Sequence, residues 1–199
     1  MRIRPYAPAD RDAVARVCLL TADAGSDATG VFEDDSLWAE VFALPYVTRH
    51  PDLAFVVEDP DGAVVGYVIG TDDTDAFEEW FASEWWPRVA ERHPRPEVER
   101  TRQDGTLIYA YGRRAGAEPY AGMGYPAHLH IDLLPAAQGQ GLGRQLISTL
   151  LDALRRRGVA GLHLVASAEN QGALAFYDRI GLTRLPSHEG VQAYGVALS

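Results

Sequence analysis

Lysine is missing altogether: all 18 basic residues are arginine, set against 28 Asp and Glu, so the chain carries a formal net charge of −10. Without lysine no Walker-type phosphate loop is possible, because that loop needs a Lys on the β- and γ-phosphates. The charge disfavours non-specific contact with nucleic acid and favours a cationic partner. Cysteine is nearly missing too. Cys18 is the only one and lies in the apolar helical run Val14, Val17, Leu19, Leu20, which excludes an intramolecular disulfide and a thiolate metal cluster and marks a buried thiol. No stretch comes near the ~20 consecutive apolar residues of a membrane-spanning helix, and Met1-Arg2-Ile3-Arg4-Pro5 leads into patterned sequence without an apolar signal core. The expectation is a cytoplasmic protein that contacts neither membrane nor nucleic acid.

What is present suffices for one domain. A chain of 199 residues, 47% of them hydrophobic, closes one substantial core and leaves room for an insertion. Residues 2–6 alternate like a short strand, and Pro8-Ala9-Asp10 opens a helix with Val14, Val17 and Leu20 on one face. Asp34-Asp35-Ser36 caps a second helix carrying Leu37, Trp38, Val41, Phe42 and Leu44, which Pro45 is expected to end. Two strands, 53–58 and 64–69, flank the turn Asp59-Pro60-Asp61-Gly62 as a hairpin. Residues 72–127 differ in texture: a helix over 75–93, then a stretch rich in Pro, Arg, Gly and Tyr, together read as an insertion. A strand over 128–134, a helix over 141–157, a strand over 162–166, a helix over 170–180 and two strands, 182–185 and 191–198, complete the chain. Hairpins require antiparallel pairing and strand-helix-strand units require some parallel pairing, so the fold class is α/β (α+β) with a mixed sheet.

The loop Gln138-Gly139-Gln140-Gly141-Leu142-Gly143 joins a strand to a helix. Such a loop presents free backbone N–H groups at the positive end of a helix, with glycines admitting an anion where a Cβ would collide and Arg144 adding a charged donor. The dinucleotide spacing G-x-G-x-x-G fails: counted from Gly139 its last position is Arg144, and counted from Gly141 it is Leu146. What holds is Q/R-x-x-G-x-G/A, satisfied by Gln138, Gly141 and Gly143 behind Leu133-Leu134-Pro135. About 30 residues on, Asn170-Gln171-Gly172-Ala173-Leu174-Ala175-Phe176-Tyr177-Asp178-Arg179-Ile180-Gly181-Leu182 reads as N-x-x-A-x-x-F-Y-x-x-x-G-F, departing only at Leu182.

Loop and segment together resemble the GNAT acyltransferase superfamily. The resemblance implies a central, mixed but mostly antiparallel sheet of about seven strands flanked by helices, with a helical insertion before the fourth strand, and acetyl-CoA as cofactor. It implies that residues 138–144 (Gln138, Gly139, Gln140, Gly141, Leu142, Gly143, Arg144) hold the pyrophosphate. The backbone of Ile131, Asp132 and Leu133 would pair with the pantetheine arm, and Leu134, Asn170, Ala173, Phe176 and Tyr177 would complete the cofactor site. The strands around Ile131 and Leu164 would splay to admit it. The implied reaction moves acetyl from acetyl-CoA to an unidentified amine by direct attack in a ternary complex; the alternative is a catalytically silent acetyl-CoA-binding or protein-interaction module. Residues 37–195 are also similar to the acetyltransferase-like domain of animal O-GlcNAcase, through Ala54-Phe55-Val56-Val57-Glu58-Asp59-Pro60-Asp61-Gly62, Gly66-Tyr67-Val68-Ile69-Gly70-Thr71 and Phe77-Glu78-Glu79-Trp80. That animal domain lacks the glycine loop which this chain carries.

Two residues are candidates for catalysis. Tyr177 is placed by the resemblance to protonate the departing thiolate, and a phenol of pKa about 10 is matched to that task; the alternative is a core tyrosine beside Leu174, Phe176 and Ile180. Asp132 is a candidate base, sharing one side of its strand with His128 and His130; the alternative is a carboxylate hydrogen-bonded where strands part. His-x-His-x-Asp arises on strands by chance, and no metal is expected. The insertion could wall an acceptor site with Trp85, Trp86, Tyr109, Tyr111, Tyr120 and Tyr125, or its aromatic stripe could pack on the sheet.

Overall fold

The computed structural model describes residues 1–117 and 119–198. Seven strands form one sheet: β1 (Arg2–Pro5), β2 (Ala54–Glu58), β3 (Val64–Thr71), β4 (Ala127–Leu133), β5 (Gly161–Ser167), β6 (Thr183–Leu185) and β7 (Val191–Ala197). Their spatial order is β1-β2-β3-β4-β5-β7-β6. Every neighbouring pair is antiparallel except β4 with β5, which is the mixed sheet expected from the order of elements and the mostly antiparallel one that the resemblance implies.

The single parallel pair is short. β4 and β5 are seven residues each, yet they pair only at Ala127 with Leu162 and His128 with His163. Beyond that point β4 stays on β3 as far as Leu133 opposite Gly66, and β5 stays on β7 as far as Ser167 opposite Val191. The strands therefore diverge, and residues 129–133 border a gap in the middle of the sheet.

Helices cover both faces because strand side chains alternate. On one face α1 (Arg11–Leu19), α2 (Ser36–Phe42) and α3 (Leu44–Arg49) bury Val14, Val17, Leu37 and Tyr46 against Val56, Tyr67 and Ile69. On the other, α7 (Leu142–Arg156) and α8 (Gln171–Ile180) bury Leu146, Leu150, Leu154 and Leu174 against Val57, Val68, Leu129 and Leu164. Pro45 does not end the second helix. The chain breaks at Ala43, and Pro45 sits in the first turn of α3, where its missing N–H would have had no helical partner.

Between β3 and β4 the insertion is more helical than its composition suggests. α4 (Thr74–Trp80) runs through a π turn, Phe81–Trp85, into α5 (Trp86–Ala90), one helical run where the sequence implied one. α6 (Arg102–Gly112) is a helix within the stretch rich in Pro, Arg, Gly and Tyr, to which the sequence assigns no element of its own; Gly105 and Gly112 dilute its pattern, but Thr101 and Asp104 form a reciprocal capping box at its start. Arg113 fastens the insertion to the fold. It forms a two-pronged ion pair with Glu78 (Nε to Oε2 2.7 Å, Nη2 to Oε1 2.6 Å), donates to the Val41 carbonyl at 3.0 Å, and lies 3.8 Å over the Phe81 ring.

Candidate functional site

The chain leaves β4 at Leu133, makes a short helical turn at Pro135–Ala137 and enters α7 through Gly139 (φ 73°) and Gly141 (φ 77°). Both glycines are left-handed, a region an L side chain enters only at about 1–2 kcal/mol. Gly143 is needed for another reason: a Cβ there would lie 3.0 Å from Cζ of Phe176 on α8, so glycine lets the two helices close together. The backbone N–H groups of residues 139–144 donate to no backbone acceptor among the described residues. They cluster at the positive end of a 15-residue helix, an arrangement that attracts anions.

This turn forms one end of a cleft of about 880 Å³ that runs along the parted end of β4, Ile131 to Leu133, and is walled by α8, within the size range of small-molecule sites. Of the residues singled out from sequence, Ile131, Asp132, Leu133, Gln138, Gly139, Gly141, Leu142, Gly143, Arg144, Asn170, Ala173, Phe176 and Tyr177 line it. Two do not. Gln140 is exposed and its side chain donates to the Ala136 carbonyl at 2.7 Å; Leu134 packs against both cores and its N–H donates to Val65. Gln138 is tied back to the Leu133 carbonyl at 2.9 Å, bracing the glycine turn on the end of β4. The Asn170 oxygen caps α8 by accepting from Ala173 N–H at 3.0 Å, so what it can offer a ligand is its amide N–H pair.

Sequence reading missed the opposite rim, Ala24, Gly25 and Ser26. Asp23 and Ser26 exchange backbone hydrogen bonds across a turn in which Ala24 (φ 50°) and Gly25 (φ 94°) are both left-handed, the geometry of a tight type I′ connection. Gly25 was visible as a break after α1, but its approach to Asn170, where a Cβ would come within 3.3 Å of Nδ2, joins residues 145 positions apart and leaves no local signal.

Asp132 and Tyr177 enter the same cleft from opposite walls. Tyr67, its cross-strand partner, donates its hydroxyl to Asp132 Oδ2 at 2.5 Å. Burial raises the Asp132 carboxyl above its ordinary range, while hydrogen bonds from Tyr67 and Thr21 pull it part of the way back. Tyr177 is buried apart from its cleft-lining surface, and among the described residues its hydroxyl makes no hydrogen bond. Burial above all, with the charges of Asp132 and Tyr194, drives the phenol well up; it stays protonated at neutral pH and so has a proton to donate.

His128 and His130 do share a side of β4 with Asp132, but they serve the fold. His128 Nε2 is 2.7 Å from the Tyr46 hydroxyl and its Nδ1 is 2.9 Å from Thr74 Oγ1; His130 Nε2 is 3.1 Å from the same Tyr46 hydroxyl. Burial lowers both imidazoles, His130 to about 3. The proposed aromatic wall is likewise mostly core. Trp85, Trp86 and Tyr120 are buried, and Tyr125 lies across Gly161 and Gly195, where Cβ atoms would meet its ring at 2.9 Å. Tyr109 alone of the set is exposed, stacked near Phe42 at 5.9 Å between ring centres.

A model described as the acetyltransferase (GNAT) family matches residues 20–182. Protein O-GlcNAcase of Rattus norvegicus is 23% identical over 190 residues, covering 94% of this chain and 20% of that protein; the chain thus spans about a fifth of that relative. The solved structure of SsHAT is 40% identical, with 100% of this chain and 98% of that one superposed at a TM-score of 0.90. The yncA acetyltransferase of Salmonella typhimurium, solved with its cofactor acetyl-CoA, shares the fold at 19% identity and a TM-score of 0.57, over 100% of this chain and 94% of that one. Because the family model takes in the parted strands, the glycine turn and the Asn170 to Leu182 segment together, the chain belongs to the acetyltransferase (GNAT) family.

Proposed function

We propose that this chain is an acetyl-CoA-dependent N-acetyltransferase, built as one domain over residues 1–199 with 72–127 inserted. The observation that carries this reading is the convergence of an anion-binding glycine turn, an unpaired strand edge and two catalytic candidates in one cleft. Bound there, acetyl-CoA supplies an activated acetyl thioester. The N–H groups of residues 139–144 and the Arg144 guanidinium hold its pyrophosphate, and the open edge of β4 at residues 131–133 offers hydrogen bonds to its amide-bearing arm. Asn170 contributes its amide N–H groups to the same arm. Asp132, shielded and raised, takes the proton that an ammonium acceptor must lose before it can attack. Tyr177, held neutral, gives a proton to the departing sulfur. Most of the rate comes from holding the two reactants in register.

Calorimetry should show acetyl-CoA binding to the protein and none to Gly141→Trp, where a bulky side chain in a left-handed position fills the cradle. With a panel of peptides, polyamines and small amines, thiol release should accompany acetylation of an acceptor and fall by about 10²- to 10⁴-fold in Tyr177→Phe, the range for loss of a general acid. Binding without turnover of any amine would leave an acetyl-CoA-binding module in place of an enzyme. Absence of binding would overturn both.

A further inference from the structure

Tyr67 reaches the cleft only through another residue. The ring is fully buried under α1, and its hydroxyl is directed at Asp132 across the β3–β4 register. A phenol has one proton, and with the hydroxyl 2.5 Å from Oδ2 that proton is donated to the carboxylate in a hydrogen bond. The other neighbours of Asp132 cannot substitute for it. Thr21 also borders the carboxylate, but its hydroxyl has the Val17 carbonyl 2.8 Å away as a competing acceptor for its single proton. Cys18 of α1 lies against the Tyr67 hydroxyl, a buried thiol pushed far up and therefore neutral. Tyr177 faces Asp132 from α8 with a neutral phenol, and His130, two residues along β4, is neutral as well. Burial and the hydrogen bonds from Tyr67 and Thr21 are what act on the Asp132 carboxyl; the charged side chains of the cleft, Arg144 on α7 and Arg179 on α8, line it as well.

We infer that Tyr67 is a positioning residue for Asp132: its buried hydroxyl fixes Oδ2, stabilises the ionised carboxylate in an otherwise apolar wall, and leaves Oδ1 to take the acceptor proton in the cleft. The catalytic part of this assignment rests on the acetyltransferase reading above; the hydrogen bond and its effect on the carboxyl do not. A hydrogen bond to a charged group shifts a carboxyl by about one to two pH units. Tyr67→Phe keeps the ring and removes the donor, so the Asp132 midpoint rises. Replacing Tyr67 with 3-fluorotyrosine keeps the fold and makes the phenol a stronger donor, so the midpoint falls. A residue that merely filled space would not produce shifts of opposite sign.

The experiment is a carbon-13 NMR titration of the Asp132 carboxyl in the free protein, its resonance identified by its loss in Asp132→Asn, alongside the pH profile of kcat/KM for transfer. An upward shift in Tyr67→Phe and a downward one in the fluorotyrosine protein, mirrored in the acid limb of the profile, support the assignment. Unmoved midpoints in both folded variants overturn it, even if transfer is robust. Shifted midpoints in a protein that turns over no amine uphold the Tyr67 bond and overturn the transfer reading alone.

Discussion

Asp132 is held between burial, which favours its neutral form, and hydrogen bonding, which favours its charge, and burial prevails. A carboxyl whose folded-state pKa lies above its unfolded value stabilises the fold fully below the unfolded pKa, and that contribution is lost as pH rises through the folded one. Asp132→Asn should therefore raise the melting temperature at pH 7, with the gain vanishing below pH ~4; equal melting curves at pH 7 would contradict the raised carboxyl. His130 behaves oppositely. Its pKa is depressed to about 3 by burial and by the charge of Arg113, so the stability it contributes is complete above the unfolded value of ~6.5 and falls as pH drops toward 3. His130→Gln should flatten the acid limb of a stability–pH curve measured by denaturant unfolding, most visibly between pH ~6 and ~4. The histidines thus set an acid limit on the fold, and Asp132 sets a cost at neutral pH.

At the scale of elements, the glycine turn and α8 were legible because both depend on contiguous residues: the spacing of Gln138, Gly141 and Gly143, and the run from Asn170 to Leu182. The separate uses of the glycines were not. Positive φ at Gly139 and Gly141 is a local matter, but the need for Gly143 comes from Phe176, 33 positions on. Gly143→Val should cost about 1–3 kcal/mol, the usual effect of overpacking. Phe176→Leu should recover part of it, as a double-mutant cycle by denaturant unfolding would show. Where the structure departs from the expected elements, or adds one not assigned from sequence, the reasons are equally physical. Pro45 starts a helix as readily as it stops one, and α6 is held by its Thr101 cap and by packing more than by propensity. Thr101→Ala should therefore lower stability by about 1 kcal/mol. The tryptophans of the insertion allowed either a binding wall or a stripe packed on the sheet, because composition reports aromatic content and is silent on which side it faces; in the structure Trp85, at the end of the π turn, and Trp86 are buried.

For the molecule as a whole, the order of elements was enough to anticipate a seven-stranded mixed sheet, whereas the rim at Ala24 to Ser26 depends on how α1 ends above a strand far away in sequence. The cleft is built from parts distant in sequence: the 24–26 turn, the end of β4, the glycine turn and α8. A ligand that needs all of them binds only the folded state, so acetyl-CoA at about 100 times its dissociation constant should add ~2.7 kcal/mol. For a chain of this size that corresponds to a rise of roughly 5–10 °C in melting temperature, absent in Gly141→Trp.

The parting of β4 from β5 also gives a central strand the chemistry of an outer one. Amides of residues 129–133 that point into the gap have no neighbouring strand to protect them, although they lie in the middle of the sheet between two buried cores. In deuterated water they should exchange as fast as those of a sheet margin, while their neighbours bonded to β3 exchange slowly. A ligand lying in the gap would complete the ladder, and β4 would then acquire the protection of an interior strand.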